Sequence, residues 1–274
     1  MIIGVFFQDW SLKEREEYKT LEETLKAESY TLYEIRSKAD IRPGTDMVFS
    51  VGGDGTFLSA AHTVSDVGLP LLGVNFGRLG FLSENRPESI PGPLMEGDFS
   101  IEYRTVLNVT LKGPDARRDI GLLPYAVNEV AIHRGGSSVL GISVAIDGSP
   151  LPTYWADGLI VATSSGSTAY SLSVGGPICM PDTKVLIIAP ISPHNLNIRP
   201  LVVPETSQID ISLTSRDGKA TMSMDNTTVE MDPRWSVHVA MAQFSLKRVR
   251  LSKSEFVNAL TSRLFWGEDM RNGQ

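Results

Sequence analysis

The chain has 274 residues, 42% of them hydrophobic, and a formal net charge of −7. This length allows one large domain or two ordinary domains with a well-packed core. The acidic balance argues against general nucleic-acid binding, which needs a broad basic surface. The single cysteine, Cys179, excludes an internal disulfide and fits a reducing compartment, so we expect a cytoplasmic protein. No uninterrupted apolar stretch reaches membrane-spanning length, and we therefore expect no membrane partner.

The first hundred residues alternate between strand-like and helix-like segments. Residues 2–7 predict a buried strand, not a signal peptide, because they lack a basic leader. Residues 11–28 predict an amphipathic helix. Further strands are predicted at 30–35, 47–51 and 71–74. We therefore predict an α/β domain over residues 1–98, a parallel sheet with flanking helices, whose ligands bind at the carboxyl ends of the strands.

The pattern changes near residue 99. Residues 99–250 contain many short β-like runs, among them one at 101–109, and turn residues such as Asp147-Gly148 separate them. This spacing predicts a mainly antiparallel β domain, interrupted by a helix near 167–173. Residues 251–274 are predicted to form a closing helix and a polar tail. The basic run Lys247-Arg248-Val249-Arg250 alternates within a strand, which is typical of a solvated face.

The stretch Val51-Gly52-Gly53-Asp54-Gly55-Thr56 lies between a strand-like and a helix-like run. Its glycines permit a tight turn and a close approach to a ligand, and their N–H groups can face phosphate oxygens. The embedded carboxylate of Asp54 would repel a phosphate, which suggests that it accepts a proton or helps to place a metal ion. The alternative is an ordinary turn in which Asp54 caps the helix. The chain lacks the P-loop, Rossmann and nucleophile-elbow motifs.

Two further segments carry polar groups in unusual places. Asn128-Glu129 interrupts the apolar run 126–132, where burial without partners is costly. One interpretation is that the pair binds a ligand. The alternative is that the alternation of the strand turns one member to solvent while the other pairs locally. After Asp157-Gly158, the stretch 163–173 gathers several hydroxyls where a strand gives way to a helix. This stretch offers hydrogen-bond donors around one point. The alternative is an ordinary capped helix whose small residues form a packing face.

Taken together, these segments resemble the NAD kinase family over roughly residues 2 to 250. The resemblance rests on the order and spacing of five blocks. The blocks are Gly52-Gly53-Asp54-Gly55-Thr56, residues 75–82, Asn128-Glu129, Asp157-Gly158 with residues 166–171, and Gly175-Gly176-Pro177.

This resemblance implies transfer of the γ-phosphoryl group of ATP to the 2′-hydroxyl of the adenosine ribose of NAD, with Mg²⁺ or another divalent cation. It implies that Asp54 is the general base and that Gly52, Gly53, Gly55 and Thr56 form the phosphate loop. The implied NAD-binding residues are Asp54, Gly55, Phe81, Asn128, Glu129, Asp157, Ser165, Thr168, Ala169, Tyr170 and Ser173. It also implies an active site between the two domains, and a homodimer or homotetramer in which pocket residues cross the interface. No metal ligand is assigned.

The chain departs from the family pattern at three places. Thr163-Ser164-Ser165-Gly166-Ser167 replaces Thr-Pro-Thr-Gly-Ser, Asp225-Asn226 stands for a late Asp-Gly, and Ala156 replaces a glycine. None of these changes removes a catalytic group.

Two alternatives remain open from the residues. One is a lipid or sugar kinase that shares the glycine-aspartate loop. Diacylglycerol-kinase-like sequences tend to carry the Asn-Glu pair directly after the loop, however, whereas here it lies far downstream. The other is a non-catalytic NAD(P)-binding regulator, which would keep Asn128, Glu129 and Tyr170 but would not need Asp54.

Overall fold

The computed structural model of the protein describes residues 1–77, 80–114, 124–251 and 256–267. The chain forms two compact units, Met1–Tyr103 with Lys247–Gln274, and Arg104–Leu246. This division differs from the predicted segments 1–98, 99–250 and 251–274. The reason is that two strands on either side of the second unit, near residues 100 and 250, complete the sheet of the first unit.

The first unit is an α/β layer built on a six-stranded sheet, which confirms the predicted fold class. Its strands are β1 (Ile2–Phe7), β2 (Thr31–Ile35), β3 (Met47–Val51), β4 (Leu71–Val74), β5 (Phe99–Arg104) and, late in the chain, β19 (Leu246–Leu251). Their order is β2-β1-β3-β4-β19-β5, and the pairs from β2 through β19 are parallel. The strand β3 is buried at every residue, as expected for the interior of a parallel sheet.

Helices flank this sheet and interrupt the second unit. They are α1 (Glu16–Ala27), α2 (Asp54–Val64), α3 (Pro91–Glu96), α4 (Tyr170–Ser173) and α5 (Phe256–Leu264). Short 3₁₀ turns lie at Trp10–Glu14, Lys38–Asp40, Ser65–Val67, Pro87–Ser89 and Ser165–Thr168. The predicted helix over 11–28 is therefore a 3₁₀ turn followed by α1, which buries Tyr18, Leu21 and Leu25 at helical spacing.

The second unit consists of two antiparallel sheets, which also confirms the predicted fold class. Its strands are β6 (Leu107–Lys112), β7 (Tyr125–Ala126), β8 (Glu129–Arg134), β9 (Leu140–Ile146), β10 (Ser149–Pro150), β11 (Tyr154–Ala156), β12 (Gly158–Thr163), β13 (Val185–Ile191), β14 (Leu201–Pro204), β15 (Ile209–Thr214), β16 (Ala220–Met224), β17 (Thr227–Met231) and β18 (Ser236–Met241). One sheet has the order β10-β9-β15-β18-β6-β7, with β11 beside β9, and the other has the order β14-β13-β12-β8-β16-β17.

Apolar residues of both sheets form one core in this unit. Val144 and Val237 come from the first sheet, and Ile132 and Met222 come from the second. The expected strand 101–109 is split into β5 and β6, because its first part belongs to the sheet of the other unit. Among the described helices, none has the length and apolar character needed to cross a membrane.

The predicted solvated face at 247–250 is wrong for Arg248. Since β19 lies between β4 and β5, Arg248 is enclosed by the sheet, and its side chain is only 4% exposed. Its guanidinium pairs with Glu84 and, at 2.8 Å, with Glu102, and its Nε donates to the carbonyl of Leu82 at 3.3 Å. Alternation alone does not show that a strand is interior, because both faces of an interior strand are covered.

We expect Arg248→Met to lower the free energy of unfolding by about 3–5 kcal/mol, because it removes the buried cation that Glu84 and Glu102 share and leaves them the longer pairs with Arg263 and Arg250. Urea unfolding at neutral pH measures this loss. Arg250→Met is the matched control, since Arg250 is on the same strand, is 38% exposed and pairs with Glu102 at 3.4 Å. It should cost no more than about 1 kcal/mol. Equal small losses for both variants would contradict the assigned role of Arg248.

Candidate active site

The glycine loop connects β3 to α2 and exposes its backbone. Gly52 has φ of 149°, and a Cβ there would lie 2.4 Å from Thr56 Oγ1, so this position requires glycine. A Cβ at Gly53 or Gly55 would meet nothing within 4 Å. Gly53 and Gly55 are also exposed, so the loop leaves room for a ligand at the carboxyl end of a parallel strand, where such sheets bind phosphates.

The carboxylate of Asp54 is fixed by a turn that follows β4. Its Oδ2 accepts the backbone N–H of Phe81 at 2.8 Å. Its Oδ1 accepts the N–H groups of Leu82 at 3.0 Å and Ser83 at 2.8 Å. A Cβ at Gly80 would lie 1.8 Å from Asp54 Oδ1, so only glycine lets the turn come this close. These three bonds give Asp54 a role beyond that of a helix cap.

The same turn is bonded back to the sheet. Ser83 Oγ donates to the carbonyl of Gly52 at 2.6 Å, and Asn75 Nδ2 donates to the carbonyl of Ser83 at 3.1 Å. The motif at 75–82 thus supports Asp54, although its Arg78 and Leu79 lie outside the described residues. The ring of Phe81 is half-buried and lies 5.8 Å from that of Phe256.

In the second unit, a carboxylate fixes the Asn128-Glu129 segment in a similar way. Asp225 accepts the N–H groups of Val127 at 2.9 Å, Asn128 at 2.8 Å and Glu129 at 3.3 Å. Asp225 has φ of 49° in the two-residue link between β16 and β17. Asp225-Asn226, which departs from the expected Asp-Gly, thus retains the acid that orients this backbone.

Three side-chain atoms near this segment are buried without a partner among the described residues. They are Asn128 Oδ1, Glu129 Oε2 and Ser165 Oγ, and Asn128 and Glu129 are each only 8% exposed. Buried polar atoms are nearly always hydrogen-bonded in native proteins, so these atoms fit a polar ligand. The alternative in which alternation turns one of the pair to solvent is wrong, because both residues are buried.

The hydroxyl-rich stretch packs directly on this pair. A Cβ at Gly166 would lie 2.2 Å from the carbonyl oxygen of Asn128, so this contact requires glycine. Thr163 Oγ1 donates to the carbonyl of Val127 at 2.7 Å and accepts the N–H of Gly166 at 3.1 Å. The hydroxyl of Ser167 is used structurally, because it bonds the backbone of Cys179 at 3.1 and 3.3 Å.

Family profiles match both units. The ATP-NAD kinase N-terminal domain matches residues 8–96, and the ATP-NAD kinase C-terminal domain matches residues 127–251. The NAD kinase of Bacteroides fragilis is 41% identical over 230 residues, which cover 82% of this chain and 78% of that protein. The NAD kinase of Flavobacterium psychrophilum is 38% identical over 246 residues, covering 88% of this chain and 83% of that protein.

The chain belongs to the NAD kinase family. Two solved structures agree with this assignment. Yeast NADH kinase complexed with NADH has a TM-score of 0.85 and 26% identity, covering 100% of this chain and 90% of that one. An NAD kinase from Archaeoglobus fulgidus in complex with ATP has a TM-score of 0.75 and 25% identity, with coverages of 94% and 96%. The comparisons give no support to a lipid kinase, a sugar kinase or a non-catalytic regulator.

The structure distributes the NAD kinase candidate residues over several places. In the second unit it brings together Asn128, Glu129 and the stretch with Ser165, and the backbone N–H of Tyr170 bonds the carboxyl of Glu129. Thr168 and Ala169, which lie between Ser165 and Tyr170 in the sequence, are half-buried, and Ser173 is exposed at the end of α4. The ring of Tyr170 stacks on His133 at 5.6 Å.

Asp157 is placed apart from that group. It precedes β12, whereas the hydroxyl-rich turn follows this strand, about 20 Å away for six extended residues. Its carboxylate pairs with Arg134 Nε at 2.8 Å. Within the second unit, the structure therefore does not bring Asp157 to the backbone of Asn128-Glu129.

The pKa of Glu129 is raised to about 8, chiefly by burial and then by the negative charge of Asp225, while the N–H of Tyr170 opposes the shift. At pH 7 the carboxyl group is therefore mostly neutral and can donate a hydrogen bond. Sequence reasoning did not predict that Glu129 is protonated at pH 7, or that Asp225 accepts the backbone N–H groups of residues 127–129. The signal that could have found them was the late acid itself, retained although the glycine after it was lost.

Because the folded-state pKa of Glu129 lies above its unfolded value, folding favours its protonated form. This contribution to stability is complete below about pH 4.5 and is lost as the pH rises through 8. We expect the stability advantage of wild type over Glu129→Gln to fall by up to about 4 kcal/mol between pH 5 and pH 9. Urea unfolding across this range measures it. Glu230→Gln, on an exposed position of β17, is the control, and a Glu129→Gln curve parallel to wild type would contradict the assigned pKa.

Proposed function

We propose that this chain transfers the γ-phosphoryl group of ATP to the 2′-hydroxyl of the adenosine ribose of NAD, with Asp54 as general base. The observation that carries the proposal is the carboxylate of Asp54, fixed by three backbone N–H groups beside a glycine loop that is open to a ligand. Family membership supplies the donor and the acceptor.

The hydrogen bonds of Asp54 indicate which of its atoms accepts the proton. A carboxylate oxygen has about two acceptor positions. Among the described residues, Oδ1 accepts two N–H groups, whereas Oδ2 accepts one, that of Phe81. Oδ2 therefore retains a position for the ribose hydroxyl, which is a poor nucleophile at neutral pH until a base within about 2.6–3.2 Å accepts its proton.

The other residues position substrates. Phosphoryl transfer depends mainly on orientation and charge neutralisation, and the open space beside Gly53 and Gly55 allows phosphate oxygens to approach the loop closely. The unpaired atoms of Asn128, Glu129 and Ser165 support binding of the hydroxyls and ring nitrogens of NAD. The rest of the proposed nucleotide contacts are Gly52, Thr56, Phe81, Asp157, Thr168, Ala169, Tyr170 and Ser173.

Mg²⁺ or another divalent cation, when bound, offsets the repulsion between Asp54 and the polyphosphate. The described residues contain no group of three or more His, Cys, Asp or Glu side chains that could hold it. We therefore propose that the cation is held mainly by the phosphates of ATP.

A homodimer or homotetramer in the cytoplasm completes the proposal. Exposed apolar side chains on the second unit support assembly, in particular Leu201 and Val202 on the edge strand β14 and the nearby Leu196. Exposed apolar side chains on an edge strand favour association with another chain.

The purified protein, mixed with ATP, Mg²⁺ and NAD, should form NADP, which an NADP-specific dehydrogenase detects. The reaction should require all three components. NAD binding without turnover, at any ATP or metal concentration, would instead support a regulator, and turnover of a lipid or sugar in place of NAD would support another kinase.

We expect Asp54→Asn to lower kcat by about 10²–10⁴, the usual contribution of a general base, and to leave NAD affinity nearly unchanged. The amide keeps the size of the carboxylate but cannot accept the proton. Asp66→Asn is the control, because Asp66 is exposed and its salt bridge is with Lys38. Near-normal turnover of Asp54→Asn would remove it from catalysis, and equal losses of binding and rate would make it a structural anchor.

A further inference from the structure

The C-terminal helix α5 covers the turn that fixes Asp54. Phe256, Ala259 and Arg263 are spaced so that they share one face of this helix. The ring of Phe256 lies 5.8 Å from that of Phe81, and the guanidinium of Arg263 lies over the same ring at 5.2 Å. A segment more than 170 residues later in the sequence is thus packed on the turn whose N–H groups hold the Asp54 carboxylate.

Arg263 is a charged residue in a largely buried position. Its side chain is 11% exposed, and its Nη2 lies 3.8 Å from Glu84 Oε2. Burial lowers its pKa, while the charges of Glu84 and Asp54 favour its ionised form and Arg248 opposes it. A buried guanidinium is costly unless it is paired, so its retention in this position needs a reason.

Pairing with Glu84 is not a sufficient reason. Glu84 already has Arg248, whose guanidinium also reaches Glu102, so the structural ion pair of the sheet exists without α5. The positive charge of Arg263 acts on Asp54 as well as on Glu84. This is the acid beside which the phosphates must approach.

We propose that Arg263 is a positioning residue for phosphoryl transfer, which holds the 80–84 turn on Asp54 and offsets the negative charge of that carboxylate as the transferred group arrives. This inference rests on the proposed function. Repulsion between Asp54 and the phosphoryl group is greatest when the two are closest, that is, during transfer. The contribution of Arg263 should therefore appear in kcat more than in the KM for either substrate.

The test compares Arg263→Met, which keeps the length and apolar character of the side chain, with Arg263→Lys, which keeps the charge. We expect Arg263→Met to lower kcat about 10- to 100-fold, with each KM within about threefold of wild type. Arg263→Lys should keep at least about one third of kcat. Arg36→Met, a loss of an exposed arginine in the same unit, is the control and should leave kcat unchanged. Urea unfolding of each variant separates a loss of stability from a loss of rate.

If α5 has only a structural role, the same measurements should give a different result. Arg263→Met would then be less stable but would have wild-type kcat per folded molecule, and this result overturns the inference. If Arg263→Met does not fold, Arg263→Lys provides the test. A loss of kcat of more than tenfold in Arg263→Lys, at unchanged stability, would also overturn the inference. No NADP formation by wild type would instead overturn the proposed function, whereas wild-type turnover with an unaffected Arg263→Met would overturn the role of Arg263 alone.

Discussion

The hydrogen bonds between the Asp54 carboxylate and three successive backbone N–H groups are the constraint on which the first unit depends. Backbone donors cannot rotate away as side chains do, so the acid is held in one orientation before a ligand binds. The requirement for glycine at position 80, the Ser83 bond to Gly52 and the pairing of Arg248 with Glu84 all keep this turn in place. Preorganisation of this kind lowers the reorganisation needed when charge moves during a reaction.

The second unit uses the same physical device for a different purpose. There Asp225 accepts N–H groups from Val127, Asn128 and Glu129, and so orients the residues that we propose to bind NAD. In both units the acid and the backbone it fixes are distant in sequence, so tertiary folding is what brings them together. A side effect is that the negative charge of Asp225 helps to raise the pKa of Glu129 to about 8.

The local structure around the hydrogen-bonded carboxylates of Asp54 and Asp225 is not optimal for stability alone. Asn128, Glu129 and Ser165 bury polar atoms without partners, and two arginines share Glu84 in a low-dielectric setting. Each feature is unfavourable in the isolated chain, because buried polar and charged groups lose hydration. Such violations are expected to concentrate where a protein binds or transforms a ligand.

The sequence by itself determined the fold class, the glycine loop, the Asn-Glu pair and the hydroxyl-rich turn, because periodicity, glycine clusters and buried polar residues leave short-range signals. It also carried the family resemblance that the comparisons confirmed. Only the tertiary structure decided that Arg248 is interior, that Asp225 orients Glu129, that Asp157 lies at the far end of β12, and that α5 covers the Asp54 turn. These features depend on which strands become neighbours, and contacts between residues 100 to 200 positions apart leave no periodic trace in a single sequence.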